Sequence, residues 1–207
     1  MSVTDHLAGA LDRRDEGPNV ALAEDIAARD DKAAIIELAE AVRNGTNRQR
    51  ADAIKVLYEI GARRPELIGG ECPLFFEALG SANNRLVWGA MTALDEVADQ
   101  RADELVAQLP RIIAAADKGS VIAKDRCTSL LVKLAKAGYA DKAVPLLVER
   151  LRTAAPNQFP TYAEKTAEVI TPEAKPGFIA VLKARFADMA QKSKRDRVTK
   201  VLEKMNG

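Results

Sequence analysis

The stretch NNRLVWGAMTAL, Asn83 to Leu94, decides the fold because it recurs. Thirty-seven residues before Asn84 the chain reads NRQRADAIKVLYEIGARRPEL, from Asn47. At Asn84 it reads NRLVWGAMTALDEVADQRADEL, and thirty-seven residues later Val121 begins VIAKDRCTSLLVKLAKAGYADK. Stacked in this register, Leu57, Leu94 and Leu131 coincide. Ala53, Ala90 and Cys127 form a small-residue column, and Gly61, Ala98 and Ala135 form another. Ile60, Val97 and Leu134 form an aliphatic one. Positions 53, 57, 60 and 61 share one stripe of a helix with 3.6 residues per turn, so each copy predicts an amphipathic helix. Small residues on that stripe let a neighbouring helix come close.

Each copy continues into a second apolar segment opened by proline: PLFFEAL from Pro73, PRIIAAA from Pro110 and PLLVERL from Pro145. Proline fits the first helical turn, where its missing N–H has no partner to lose. PGFIAVLKARFADM from Pro176 reads as a fourth copy, with TYAEKTAEVI as a shorter first helix shifted by about one residue. Upstream, Asn19–Arg29 and Asp31–Arg43 read as a degenerate first pair, with Gly45 as its C-cap glycine. Before them, Asp5–Arg13 predicts a short, loosely docked amphipathic helix and Gly17-Pro18-Asn19 a hinge. Downstream, TKVLEKM (Thr199–Met205) echoes IKVLYEI (Ile54–Ile60) and predicts a closing helix with Ser193 as N-cap.

A single pair of antiparallel helices cannot bury its apolar face; stacked pairs bury a continuous core. The expected fold is therefore all-α, a right-handed superhelix of about four to five helix pairs in one domain. Its parts are an N-terminal helix and hinge (1–18), a degenerate repeat (19–46), core repeats (47–83, 84–120, 121–157), a divergent repeat (158–192) and a capping helix (193–207).

The Asn-Arg start, the helix with Ala and Leu four apart and the proline-led second helix together resemble the HEAT repeat, over roughly residues 19–207 and most clearly in 47–157. The Trp-x2-Leu-Gly-x2-Tyr pattern of tetratricopeptide repeats and the Thr-Pro-Leu-His of ankyrin repeats are absent. The resemblance implies an armadillo/HEAT-like scaffold that holds a protein or nucleic acid in a concave groove. A few HEAT subfamilies act on ligands, among them DNA alkylation-repair glycosylases and phycobilin lyases.

Composition narrows the chemistry. Of 207 residues, 47% are hydrophobic but only 4% aromatic, which requires an aliphatic core. The opening MSVTDHLAGALDRRDEG lacks the features of a signal peptide, and no run reaches the ~18 apolar residues of a membrane span. Cys72 and Cys127 stand alone, as expected for a reducing cytoplasm. His6 is the one histidine. There is no HExxH, no phosphate-binding glycine loop and no Cys/His cluster, so no catalytic residue, metal site or cofactor is expected. Cys127 falls in the small column and reads as packing.

Two surfaces remain as candidates. Trp88 occupies a column with Ala51 and Asp125, which no core position would share, and it borders the apolar stripe. It reads as cover for the seam between repeats or as an aromatic anchor for a partner. Asp95 follows seven residues later on the same face. A Trp and an Asp on one face resemble the alkylation-repair glycosylases, although that family uses several aromatics where this chain has one tryptophan. The second surface is basic. Residues 1–120 hold 14 Lys+Arg and 21 Asp+Glu, a net −7; residues 121–207 hold 17 and 9, a net +8. Arg150, Arg152, Lys183 and Arg185 lie on expected second helices, and KSKRDR (Lys192–Arg197) adds to them. Such charges suit an acidic protein, a phosphate backbone, or the acidic half of a second copy met head to tail. The leading expectation is a non-enzymatic scaffold for a protein partner, contacted through Trp88, Asp95, Arg150, Arg152, Lys183 and Arg185. The alternative is a nucleic-acid-binding protein, with a divergent glycosylase as its enzymatic form.

Overall fold

A computed structural model describes residues 2–206. Among them every regular element is a helix. The chain divides into two compact units, Met1–Cys127 and Thr128–Gly207. The first contains α1 (Gly17–Arg29), α2 (Lys32–Asn44), α3 (Asn47–Arg63), α4 (Pro65–Ile68), α5 (Cys72–Ala78), α6 (Asn84–Glu96), α7 (Ala102–Ala107) and α8 (Leu109–Lys118). The unit boundary falls within α9 (Val121–Leu134). The second contains α10 (Ala140–Thr153), α11 (Phe159–Ala167), α12 (Lys175–Arg185) and α13 (Lys192–Asn206).

The repeat register is visible in the helix starts. α3, α6 and α9 begin at Asn47, Asn84 and Val121, and α11 begins at Phe159, one residue behind the period. Side-chain caps fix three of these starts; at α9 the Ser120 hydroxyl accepts from Ala123 N at 3.4 Å. Thr46 and Gln49 form a reciprocal capping box at α3, and the Asn83 side chain accepts the Arg85 N–H at α6. Leu57, Leu94 and Leu131 are all fully buried, as are Ala53, Ala90 and Cys127. Each such leucine contributes about 1.5–3 kcal/mol over an exposed one. In the first unit α3 is the hub, packed by α1, α2 and α6. The small column works as expected. A Cβ added to Gly61 would lie 2.5 Å from Ile68 Cδ1 and 3.2 Å from Glu96 Cβ of α6, so a larger residue here would have to push the Ile68 side-chain end aside.

Several boundaries differ from the expectation. The two helices of a repeat do not follow each other directly, because the short helices α4 and α7 intervene. Pro73 and Pro110 do sit in the first turns of α5 and α8, but Pro145 lies inside α10, which starts at Ala140. The chain reaches that start through a π-helical turn, Ala135–Tyr139, where Gly138 takes φ +103°. This left-handed residue lets α10 begin a turn early, with Asp141 at its positive end. Gly45 caps α2 in an extended conformation, donating to the Ala41 carbonyl at 3.0 Å. α13 starts at Lys192, so Ser193 lies in its first turn rather than at its cap.

The largest difference is at the N-terminus. In place of a helix over Asp5–Arg13 there is one 3-10 turn, Val3–His6, and the segment is firmly held. Leu7 and Ala8 are buried. The Asn19 side-chain oxygen accepts from Ala8 N at 2.8 Å, and its amide donates to Asp52 Oδ1 at 2.9 Å. Asp52 Oδ2 accepts from Gly9 N at 2.9 Å. Glu37 accepts from the Ser2 hydroxyl and the Val3 N–H. Gly17, Pro18 and Asn19, read as a hinge, form the first turn of α1, with Asn19 wholly buried. The polar network pulls the segment in where its own helical propensity is weak.

The second unit has its own core. Leu151, Phe159, Tyr162, Phe178, Leu182, Val198 and Met205 bring α10, α11, α12 and α13 together. Among the described residues no helix is long and apolar enough to cross a membrane.

Candidate functional site

Trp88 sits half-buried on α6, and its ring meets that of Tyr58 on α3, with centroids 5.7 Å apart and planes tilted by 53°. Such tilted pairs use the ring quadrupoles favourably. Tyr58 belongs to the α3 series Lys55, Tyr58, Glu59, which helical spacing brings onto one face. The Lys55 ammonium lies 4.8 Å from the Tyr58 ring centroid. It also pairs with Glu59 at 2.7 Å and with Glu16 at 3.1 Å. Glu16 in turn holds Arg85 of α6 at 2.6 Å, and Glu59 holds Arg63 at 2.7 Å. The aromatic pair is thus set in a lattice of alternating charges from the N-cap of α1, from α3 and from α6.

Electrostatics keep Lys55 and Glu59 charged at neutral pH. Burial works against the Lys55 charge, with only 12% of its side chain exposed. Hydrogen bonds to Glu59, Tyr58 and Glu16 more than reverse that, and its pKa is raised. Burial likewise pushes the Glu59 carboxyl up, but Lys55 and Arg63 bring it below the ordinary glutamate value. Burial raises the Tyr58 phenol, keeping it neutral. The result is a preorganised patch of tryptophan, tyrosine and fixed cations, the residue types enriched in binding hot spots.

The other expected site residues have different surroundings. Asp95 is buried, with its side chain 2% exposed, and pairs with Arg126 of α9 at 3.2 Å. The same guanidinium reaches Glu96 at 3.3 Å. Asp95 is therefore not a surface carboxylate beside Trp88. Arg150 is buried in α10. Arg185 ties off the end of α10, donating to the carbonyls of Leu151, Arg152 and Ala154 at 2.8, 2.8 and 2.9 Å. Its guanidinium also stacks 5.1 Å from the Phe159 ring centroid. Arg152 is exposed and pairs with Glu149 at 3.1 Å, and Lys183 is exposed. The structure brings Trp88 together with Tyr58, Lys55, Glu16 and Arg85, none of which the sequence singled out. The Lys55-Tyr58-Glu59 spacing was the one available signal.

The cysteines offer no reactive thiol. Both are buried, and neither forms a disulfide. Burial first, and then the Glu104 charge, push the Cys72 thiol up to about 11. His6 is exposed on the surface. Among the described residues no cluster of His, Cys, Asp and Glu has the makings of a metal site.

No family model matches the chain. No curated protein matches it. Solved structures do. A designed armadillo repeat protein in complex with the peptide (KR)4 superposes with a TM-score of 0.68 at 14% identity, covering 90% of this chain and 86% of that one. A second designed armadillo repeat protein gives 0.65 at 13% identity, covering 90% and 87%. An engineered protein gives 0.63 at 16% identity, covering 100% and 97%. The chain has the all-α fold of armadillo-type helical-repeat proteins.

Proposed function

We propose that this protein is a non-enzymatic helical-repeat scaffold that binds a protein or peptide partner, with Trp88 as the anchor. The observation that carries this reading is the half-buried Trp88, packed on the buried Tyr58 and framed by charged pairs. Desolvating a rigid aromatic pair inside a polar rim costs little ordering entropy, and that is how few residues dominate an interface. A structural neighbour carrying a bound peptide supports this kind of ligand. In the second unit the exposed Arg152 and Lys183 are the proposed secondary contacts. Two buried cysteines outside any disulfide suit a reducing, cytoplasmic setting.

The test is selection of twelve-residue peptides by phage display on the full chain, followed by binding to variants. Trp88 is the only tryptophan, so its emission reports directly on the site. Selected peptides are expected to shift that emission and to lose about tenfold or more in affinity on Trp88→Ala. Thermal melts establish that the variant is folded. If no selected peptide is weakened by Trp88→Ala or Lys55→Ala, the reading is overturned. Tight, salt-dependent DNA binding that needs these residues replaces it with the nucleic-acid alternative.

A further inference from the structure

Two pockets in the first unit repeat with the period of the sequence. One, about 350 Å³, is lined by Val42, Arg43, Arg50, Leu74, Glu77, Ala78, Gly80 and Ser81. The other, about 330 Å³, has Leu79, Gly80, Val87, Arg111, Ala114, Ala115 and Lys118 at the positions thirty-seven residues on from Val42, Arg43, Arg50, Leu74, Glu77, Ala78 and Ser81. Gly80 and Ser81 form a shared wall. Each pocket thus lies between the end of one second helix, the first helix that follows it, and the next second helix.

Their charge is not a by-product of the repeat. Each pocket carries two cations, Arg43 and Arg50 in one and Arg111 and Lys118 in the other, but from different repeat positions. The single acid lining either pocket is Glu77, a loose partner of Arg43 at 3.9 Å. This basic strip belongs to the half of the sequence whose net charge is −7. Helix dipoles explain only half of it. Arg43 and Lys118 occupy last turns, where a cation is favoured. Arg50 and Arg111 occupy the first turns of α3 and α8, where it is disfavoured. Arg50 gives its Nε–H to the Val42 carbonyl. Arg111 and Lys118 are exposed, and no described residue forms an ion pair with either.

We propose that the two pockets receive successive acidic side chains of an extended peptide segment of a partner protein. This rests on the protein-partner reading for the kind of ligand, but on residues separate from Trp88. Successive packed helices lie roughly 8–10 Å apart, which sets the order of the pocket spacing. A polyproline-II strand rises ~3.1 Å per residue with three residues per turn, so residues i and i+3 share a face about 9 Å apart. The segment that fits has Asp or Glu at every third position, the second carboxylate meeting Arg111 and Lys118. Nucleic acid is the weaker match, because no aromatic residue lines either pocket to stack a base.

The experiment probes arrayed twelve-residue peptides with the labelled full chain. The peptides carry two glutamates placed one to six residues apart in a Ser/Ala/Pro background. Binding is expected to peak at a spacing of three and to vanish when both glutamates become glutamine. The double variant Arg111→Glu, Lys118→Glu should lose about tenfold or more of the affinity. It should regain binding to peptides whose second glutamate is replaced by lysine. Peptides bound through Trp88 are read by tryptophan emission and peptides bound here by the glutamate-spacing array, so failure here and failure at the aromatic patch are distinguishable. Absence of binding, indifference to spacing, or indifference to charge reversal overturns the proposal. Stronger binding of a mixed-sequence oligonucleotide that needs the same two cations overturns it in favour of phosphate.

Discussion

Residues 2–13 fasten to the first unit through polar atoms: the Asn19 amide, the Asp52 carboxylate and the Glu37 carboxylate each hold backbone N–H groups or side chains of the segment or of one another. In the second unit α13 fastens to its neighbours through apolar bulk, with Val198, Val201 and Met205 set among Phe159, Tyr162 and Phe178. The polar latch is specific, because every buried donor needs its own acceptor. The apolar cap is strong and tolerant, because burial is non-directional and scales with area. The N-terminal segment buries Val3, Leu7 and Ala8 as well, but its place is specified by the polar latch. α13 adds polar contacts only at its rim, where Arg197 binds Glu164 and Thr161.

Four measurements break or sharpen this contrast. The largest effect is expected from Phe178→Ala, which empties the core beneath α13 and should cost about 3–5 kcal/mol in urea unfolding. A loss under 1 kcal/mol would mean that α13 is not held by bulk. Next, Asp52→Ala orphans Gly9 N–H and the Asn19 amide, and should cost about 1–3 kcal/mol. Amide exchange at Ala8 and Gly9 should accelerate while α13 amides keep their protection; retained protection at Gly9 would refute the latch. Third, Arg185→Lys keeps the charge but loses the fork that spans three carbonyls, and about 1 kcal/mol should follow. An unchanged melt would show that water replaces the guanidinium there.

The smallest effect is pH-dependent. The Ser2 hydroxyl, opposed by burial and aided by the Val3 N–H, holds the Glu37 carboxyl below its ordinary value of 4.5. A depressed carboxylate stabilises the fold above its unfolded pKa and loses that contribution as pH falls through the folded one. The Val3 amide resonance should therefore titrate with a midpoint below 4.5, and stability of the latch should fall in the same window. A midpoint at or above 4.5 would contradict the contact. Glu37→Gln should abolish the titration.

Much of the architecture was legible in the sequence. The helix starts at Asn47, Asn84 and Val121 and the buried leucine column follow from side-chain periodicity alone. The N-terminal latch was not legible, because Asn19 and Asp52 lie 33 residues apart and neither belongs to a local motif. The charge asymmetry pointed to Arg150 and Arg185 as surface groups. Yet a sum of charges carries no direction: Arg150 is buried in α10, and Arg185 is turned onto the carbonyls that end α10. The same sum concealed the strip of Arg43, Arg50, Arg111 and Lys118 within the acidic half.

The sequence by itself determined the unit, its period and its buried stripe, because these depend on hydrogen bonds and spacings within one helix. Tertiary structure decided which residues meet across helices. Tyr58 shares its register column with Asp95, but its ring meets Trp88. Arg126 shares a column with Gly89, but it meets Asp95 and Glu96. Helices pack with an angle and a stagger set by the side chains at their crossing, so repeat columns need not be neighbours. That stagger makes Asp95 a buried ion-pair partner and gives Trp88 its half-exposed place over Tyr58.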